Sequence, residues 1–258
     1  MSLTDGIIGC WSPSVRGSGY LLPDLSGRGN HGVLTNMDAG TDWPGAAVCG
    51  LHGRVLDFDG NNDYTDCGLR LNAALIDKLT ISMWCIFRTR SSVNCPISNV
   101  SVAASNGFAL EMGRTANKVT WLQNGSTIDA TSTGSITDAG WHHVAVTRDG
   151  VAGSWTITFA IDGVTSTHTT AANPGPESSA GILAIGRYGS FSGGFNFNGQ
   201  IGEVTIYQRA LSEAEIRDLY RQGNGAIGRQ LTGQTRRRTY GFVPAAGARR
   251  RRILTGMV

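Results

Sequence analysis

The chain has 258 residues, of which only 16% are charged and 36 are glycine. That length accommodates one large all-β domain, and abundant Gly, Thr, Ser and Asn indicate many short strands joined by tight turns rather than helices. The net charge of +3 is small, and no apolar run of roughly 18 residues is present to cross a membrane as a helix.

In chain order, the N-terminal Met1–Gly6 lacks a basic segment followed by an apolar core, so no signal peptide is expected. Gly27–Gly32 has the spacing Gly-x-Gly-x-x-Gly. A dinucleotide site would need a helix after it, but Val33–Asn36 carries no helical pattern, so the segment reads as a turn. Thr80–Phe87 reads as a strand with Ile81, Met83, Cys85 and Phe87 on one face. Val119–Gln123, Trp141–Thr147, Trp155–Ile161 and Ile182–Ile185 read as further strands. Asn124-Gly125, Asp149-Gly150 and Asp162-Gly163 are expected at hairpin turns, where positive φ is needed. Strands at this spacing indicate a sandwich or barrel.

A helix is predicted over 213–221. Ser212 and Glu215 form a capping box, and Leu211 and Ile216 a hydrophobic staple. Ile216, Leu219 and Tyr220 make the buried stripe, and Gly223 is placed to end the helix. Residues 222–228 then read as a linker. From Arg229 to Val258 there are eight arginines and no acid, which leaves 14 basic and 19 acidic residues before them. The sequence thus divides into a mildly acidic domain, 1–222, and a basic arm, 223–258.

The five cysteines, Cys10, Cys49, Cys67, Cys85 and Cys95, are odd in number and have no zinc-type spacing. Cys85, inside the apolar strand, reads as a buried reduced thiol. A disulfide among the others is open but has no support in the spacing, and this usage fits an intracellularly assembled protein better than a disulfide-stapled secreted one.

Several blocks resemble, in order, the laminin-G-like (concanavalin A-like) jelly roll. They are Asp24–Gly32, Leu56–Tyr64, Leu79–Trp84, Trp141–Gly150, Ala160–Gly163, Ile185–Arg187 and Phe197–Tyr220. The resemblance covers about residues 5–222. It implies a two-sheet antiparallel β-sandwich with one short C-terminal helix. It also implies a binding or structural role, as in carbohydrate-binding modules, adhesion modules and structural proteins of tailed phages. Some members bind structural calcium, which here would draw on Asp24, Asn30 and Glu203. Members often have Asp-Glu before the final strand, whereas this chain has Gly202-Glu203, so one carboxylate is missing and binding would be weaker. No cofactor is otherwise required. The competing reading has Asp24 and Ser26 bonding a tight turn.

Catalysis is not expected. A glycosidase needs two carboxyl groups across a cleft. Of five glutamates, only Glu111 is placed to lie on a sheet face, and it has no acidic neighbour in sequence. His142 and His143 are adjacent on a strand and point to opposite faces, so they do not share a metal. The segment 187–197 is aromatic and Gly-rich, and suits sugar stacking or a protein contact. Its candidates are Arg187, Tyr188, Phe191 and Asn196, with Trp121 or Trp43 as alternatives; the competing reading has these rings capping the sandwich edge. In the arm, Arg236, Arg237, Arg238, Tyr240, Phe242 and Arg249, Arg250, Arg251, Arg252 mix charge with apolar side chains. That mix suits a groove on a protein subunit better than phosphate contacts alone. The leading expectation is a virion structural or decoration protein anchored by this arm, on a particle or extracellular surface and off the membrane. The alternative is a bacterial carbohydrate-binding module, and a laminarinase-like enzyme stands third.

Overall fold

The computed structural model describes residues 1–17, 19–48, 51–71, 78–100, 107–123, 127–151, 154–170, 181–189 and 195–233. Seventeen strands and two helices lie in these residues. The strands are β1 (Ile7–Trp11), β2 (Leu21–Leu22), β3 (Gly32–Thr35), β4 (Gly45–Val48), β5 (Leu51–Arg54), β6 (Leu56–Asp59), β7 (Tyr64–Arg70), β8 (Lys78–Phe87), β9 (Asn94–Ser98), β10 (Phe108–Met112), β11 (Val119–Gln123), β12 (Thr127–Thr131), β13 (His142–Val151), β14 (Ser154–Ile161), β15 (Val164–Thr170), β16 (Ile182–Ile185) and β17 (Asn198–Tyr207); the helices are α1 (Glu213–Gln222) and α2 (Ala226–Leu231).

The strands form an antiparallel sandwich. Sheet A has the order β1-β17-β8-β13-β14-β15, with β6 also paired to β17. Sheet B runs β12-β11-β10-β9-β16-β7-β3-β2, and β4-β5 is a separate hairpin. The twofold alternation along each strand sends one row of side chains inward from each sheet. In sheet A one such row is Ile206, Ile81, Val146 and Phe159. In sheet B the matching row is Leu34, Thr65, Ile185, Ile97, Leu110 and Trp121. All of the apolar members belong to one core, each worth about 1.5–3 kcal/mol when fully buried. Met83, Cys85 and Phe87 join it on the predicted face of β8.

Two turn expectations can be checked. Asp162 and Gly163 have φ of 53° and 78° and join the Ile161↔Val164 pair, as a tight hairpin turn requires. Asp149 and Gly150 instead lie inside β13, because the β13–β14 ladder continues to the Val151↔Ser154 pair. Asn124-Gly125 lies outside the described residues. The glycine-rich 27–32 segment is a turn entering β3, with φ of 81° at Gly27 and 78° at Gly29.

Helix α1 begins as its sequence directs. Both bonds of the Ser212–Glu215 capping box are present, and Gly223 ends the helix with φ 80°. Leu211, Ile216 and Leu219 pack on Ala145, Ala160, Tyr207 and Cys10, so α1 seals the outer face of sheet A. Tyr220 stacks on Trp84, with ring centroids 5.8 Å apart.

The chain does not leave the domain at Gly223. Residues 226–231 form α2, and Ile227 joins the same apolar cluster as α1. The sandwich therefore has two C-terminal helices rather than one. The linker assigned to residues 222–228 is instead the end of α1, the cap between the helices and the first turn of α2. The missing sequence signal has a physical cause: the N-cap, Gly225, supplies no side-chain cap. The cap comes from β17, where the Glu203 carboxylate accepts the Ile227 N–H at 3.1 Å and the Gly228 N–H at 2.7 Å. A carboxylate at a helix N-terminus is favoured by both the free N–H groups and the helix dipole. The arm residues Arg236, Arg237, Arg238, Tyr240, Phe242, Arg249, Arg250, Arg251 and Arg252 lie outside the described residues.

Candidate functional site

The outer face of sheet B carries a row set by strand register: Leu21, Val33, Asp66, Ala184, Ser98, Ala109 and Leu122. The segment after β16 folds back over the middle of this row. Ser98 Oγ donates to the Arg187 carbonyl at 2.9 Å and accepts the Gly189 N–H at 2.5 Å. Between these anchors, Tyr188 packs with Cys95, Val100, Ala109 and Leu122. The segment thus divides the face into a filled half and an open half.

Tyr188 belongs to the filled half. It is only 8% exposed, and burial pushes its hydroxyl up to about 12. Its ring meets Phe195 edge-on at 5.8 Å. It is a plug, and offers no free ring face for a sugar. Trp121 and Trp43 are likewise buried: Trp121 stacks on Phe108 at 4.8 Å, and Trp43 donates its indole N–H to the Gly19 carbonyl. Phe191 lies outside the described residues. Asn196 is half-buried and donates its amide to the Asn61 carbonyl, tying two loops.

Arg187 faces the open half. Its guanidinium carbon sits 3.5 Å from the centre of the Tyr64 ring, and Nη2 donates to Asp66 Oδ1 at 3.0 Å. Alternation along β7 places Tyr64 and Asp66 on this same face. Beside them Leu21 is 46% and Val33 51% exposed. Tyr64, Asp66, Leu21 and Val33 carried no individual signal in the sequence. They are brought together by the pairing of β2, β3 and β7, which a single-strand pattern cannot reveal.

Glu111 is fully buried on the filled half. Both of its oxygens accept from Arg114, at 2.6 Å to Nε and 3.1 Å to Nη2. This forked pair is a fixed ion pair and leaves no oxygen placed to protonate a leaving group.

The residues considered for calcium have other partners. Asp24 Oδ1 accepts the Cys10 and Ser26 N–H groups at 3.0 and 2.9 Å. Asp24 Oδ2 accepts Ser26 Oγ and the Asn30 N–H at 2.8 and 3.1 Å. Four donors converge where a cation would need only acceptors. Asn30 points its amide nitrogen at the Ile8 carbonyl. Glu203 is spent on α2, and burial raises its carboxyl above the usual range despite the opposing N–H groups. The donor chemistry around these three residues does not fit calcium. They tie the Asp24 turn and α2 to the ends of sheet A.

The two histidines serve separate ends. His143 Nε2 lies 2.9 Å from Ser82 Oγ, under Trp84, and burial pushes its ring down to about 4. His142 Nδ1 pairs with Asp162 at 2.7 Å, and this carboxylate raises its ring above the ordinary value. All four described cysteines are buried free thiols.

Comparison with known families agrees with this geometry. The family model Laminin_G_3, described as the concanavalin A-like lectin/glucanases superfamily, matches residues 59–217. The chain belongs to this superfamily. No curated protein matches it in sequence. Among solved structures it is similar to domain 4 of AbnA, an extracellular arabinanase from Geobacillus stearothermophilus in complex with arabinotriose, at TM-score 0.60 and 16% identity, over 82% of this chain and 97% of that one. It is also similar to the binding domain of botulinum neurotoxin DC in complex with SialylT, at TM-score 0.58 and 15% identity, over 86% and 52% of the two chains. A Trypanosoma rangeli sialidase matches at TM-score 0.56 and 16% identity, over 84% of this chain and 33% of the enzyme. The chain therefore spans about a third of the sialidase and half of the neurotoxin chain, and identities this low establish the fold alone.

Proposed function

We propose that this sandwich is a non-catalytic glycan-binding module that uses the open half of the outer face of sheet B. The observation that carries the reading is the Arg187–Tyr64–Asp66 arrangement beside exposed Leu21 and Val33. A held guanidinium and a carboxylate offer donors and acceptors to sugar hydroxyls, while the neighbouring apolar side chains take the faces of sugar rings. The complexes of two structural neighbours, one with arabinotriose and one with SialylT, support a glycan as the ligand class. The engagement of Glu111 by Arg114 supports binding without hydrolysis. On a glycan array the full chain should bind a defined oligosaccharide, and Arg187→Ala should weaken that binding at least about tenfold. Undiminished binding by Arg187→Ala would remove the site from consideration.

The arginine-rich C-terminus favours a second reading. Seven of its eight arginines follow α2, and a cationic arm of that kind suits anchoring to an acidic subunit of a larger assembly, such as a virion. On this reading the domain ends near Gly233, the arm follows, and the protein sits on a particle or extracellular surface. Removal of 234–258 should abolish attachment to such an assembly and leave glycan binding unchanged. Attachment that survives the truncation would refute the arm as anchor.

A further inference from the structure

A groove of about 620 Å³ lies between the turn after β1 and the β4–β5 hairpin. Its walls include Ser14, Val15, Arg16, Ala46, Ala47 and Arg54. The turn is fixed by the Val15 and Arg16 N–H groups, both donating to the Ser12 carbonyl at 3.0 Å. The hairpin closes on it because position 53 is glycine: a Cβ there would come within 2.6 Å of Ser14 Cβ. A Cβ on Gly45 would meet nothing within 4 Å, so that wall is open to an incoming group. Both guanidinium groups are exposed, and neither Arg16 nor Arg54 has a carboxylate partner among the described residues.

We infer that this groove is a second binding site, for the carboxylate of an acidic saccharide. Arg16 and Arg54, two uncompensated cations lining one groove, favour an anion, and their guanidinium groups can match a carboxylate through forked hydrogen bonds. The volume lies in the range that holds a small ligand. Among the described residues the rest of the lining is small apart from Pro13 and Val15 and offers no large apolar side chain to seat an anchoring residue, which argues against a peptide. A sugar ring fits the shallow Val15–Ala46–Ala47 surface while its carboxylate meets the arginines. The choice of a saccharide rests on the glycan-binding reading; the anionic character rests on Arg16 and Arg54 alone.

Titration calorimetry of the full chain with trigalacturonate, galactotriose, inorganic sulfate and a triglutamate peptide tests the site. Trigalacturonate should bind wild type and Tyr64→Ala alike, weaken with added salt, and lose at least about tenfold in affinity in the Arg16→Gln/Arg54→Gln variant. Galactotriose should not compete for the groove. The proposal is overturned if trigalacturonate does not bind, if it binds the double variant equally well, or if sulfate or triglutamate binds as tightly. Failure of the sheet B reading would register separately, as a neutral glycan whose binding ignores Tyr64→Ala. Both arginines are exposed, and an unchanged melting temperature of the double variant confirms that any loss is one of binding.

Discussion

The outer faces of the two sheets are built on opposite plans. Sheet A presents small and apolar residues, Ala145, Ala160 and Tyr207, and two helices cover them with Ile216, Leu219 and Ile227. Sheet B has no helix over it among the described residues. A single turn of chain at Arg187–Gly189 fills half of its face, and a cation, a carboxylate, a phenol ring and two exposed aliphatic residues remain on the other half. The contrast separates the face whose apolar surface goes into stability from the face on which we propose that a ligand binds. A face made of alanines next to buried aliphatics can only be satisfied by packing. A face with Arg187 stacked on Tyr64 and with Leu21 and Val33 exposed keeps polar and apolar groups at the surface, where the proposed sugar would bind.

The comparison predicts that substitutions on the two faces have different consequences. Ile216→Ala, at a fully buried position on the sealed face, should destabilise the domain by about 2–5 kcal/mol in denaturant unfolding, with glycan affinity of the folded fraction unchanged. Glu203→Ala leaves the Ile227 and Gly228 N–H groups without their acceptor and should cost about 1–3 kcal/mol. Hydrogen exchange should localise that loss to residues 226–231, and exchange there that stays slow would show that α2 docks without its carboxylate cap. Arg187→Ala should do the reverse, costing about 1.4 kcal/mol of binding with a change in stability below about 1 kcal/mol.

The smallest effect concerns His142. Its folded ring is raised by Asp162, so its contribution is fully present below the unfolded value near 6.5 and is lost as pH rises through the raised folded value. With the Asp162 carboxylate partly exposed, the pair is worth about 1 kcal/mol or less. The stability difference between wild type and His142→Gln should therefore shrink as pH rises from about 6.5 through the raised folded value; a difference that grows with pH would contradict the pairing.

The sandwich and α1 were legible in the sequence because their signals are local. Alternation in Val119–Gln123, the Asp162-Gly163 turn and the Ser212–Glu215 box each specify their own backbone. Helix α2 was not legible, because its cap, Glu203, lies 24 residues before Ile227 and its own N-cap is a glycine. The candidate site was half legible. Arg187 is marked by its loop, whereas for Tyr188 a sugar-stacking ring and an edge-capping ring both stay open in sequence, because aromatic content does not reveal which way a ring turns; its burial matches the capping ring. Tyr64, Asp66 and Val33 escaped notice because only the β2–β3–β7 register places them together. For Asp24 the sequence leaves a cation ligand and a turn-bonding carboxylate both open, because carboxylates in a turn look alike whether they face a metal or backbone N–H groups; the Ser26 bonds match the turn, and Glu203 caps α2.

The most direct test of this division of labour is amide chemical-shift mapping of the full chain with a neutral oligosaccharide identified on the array. Shifts confined to Leu21, Val33, Tyr64, Asp66 and Arg187, with α1 and α2 silent, are what the account predicts. Shifts centred on α1 and α2, with the open half of sheet B unmoved, would contradict it.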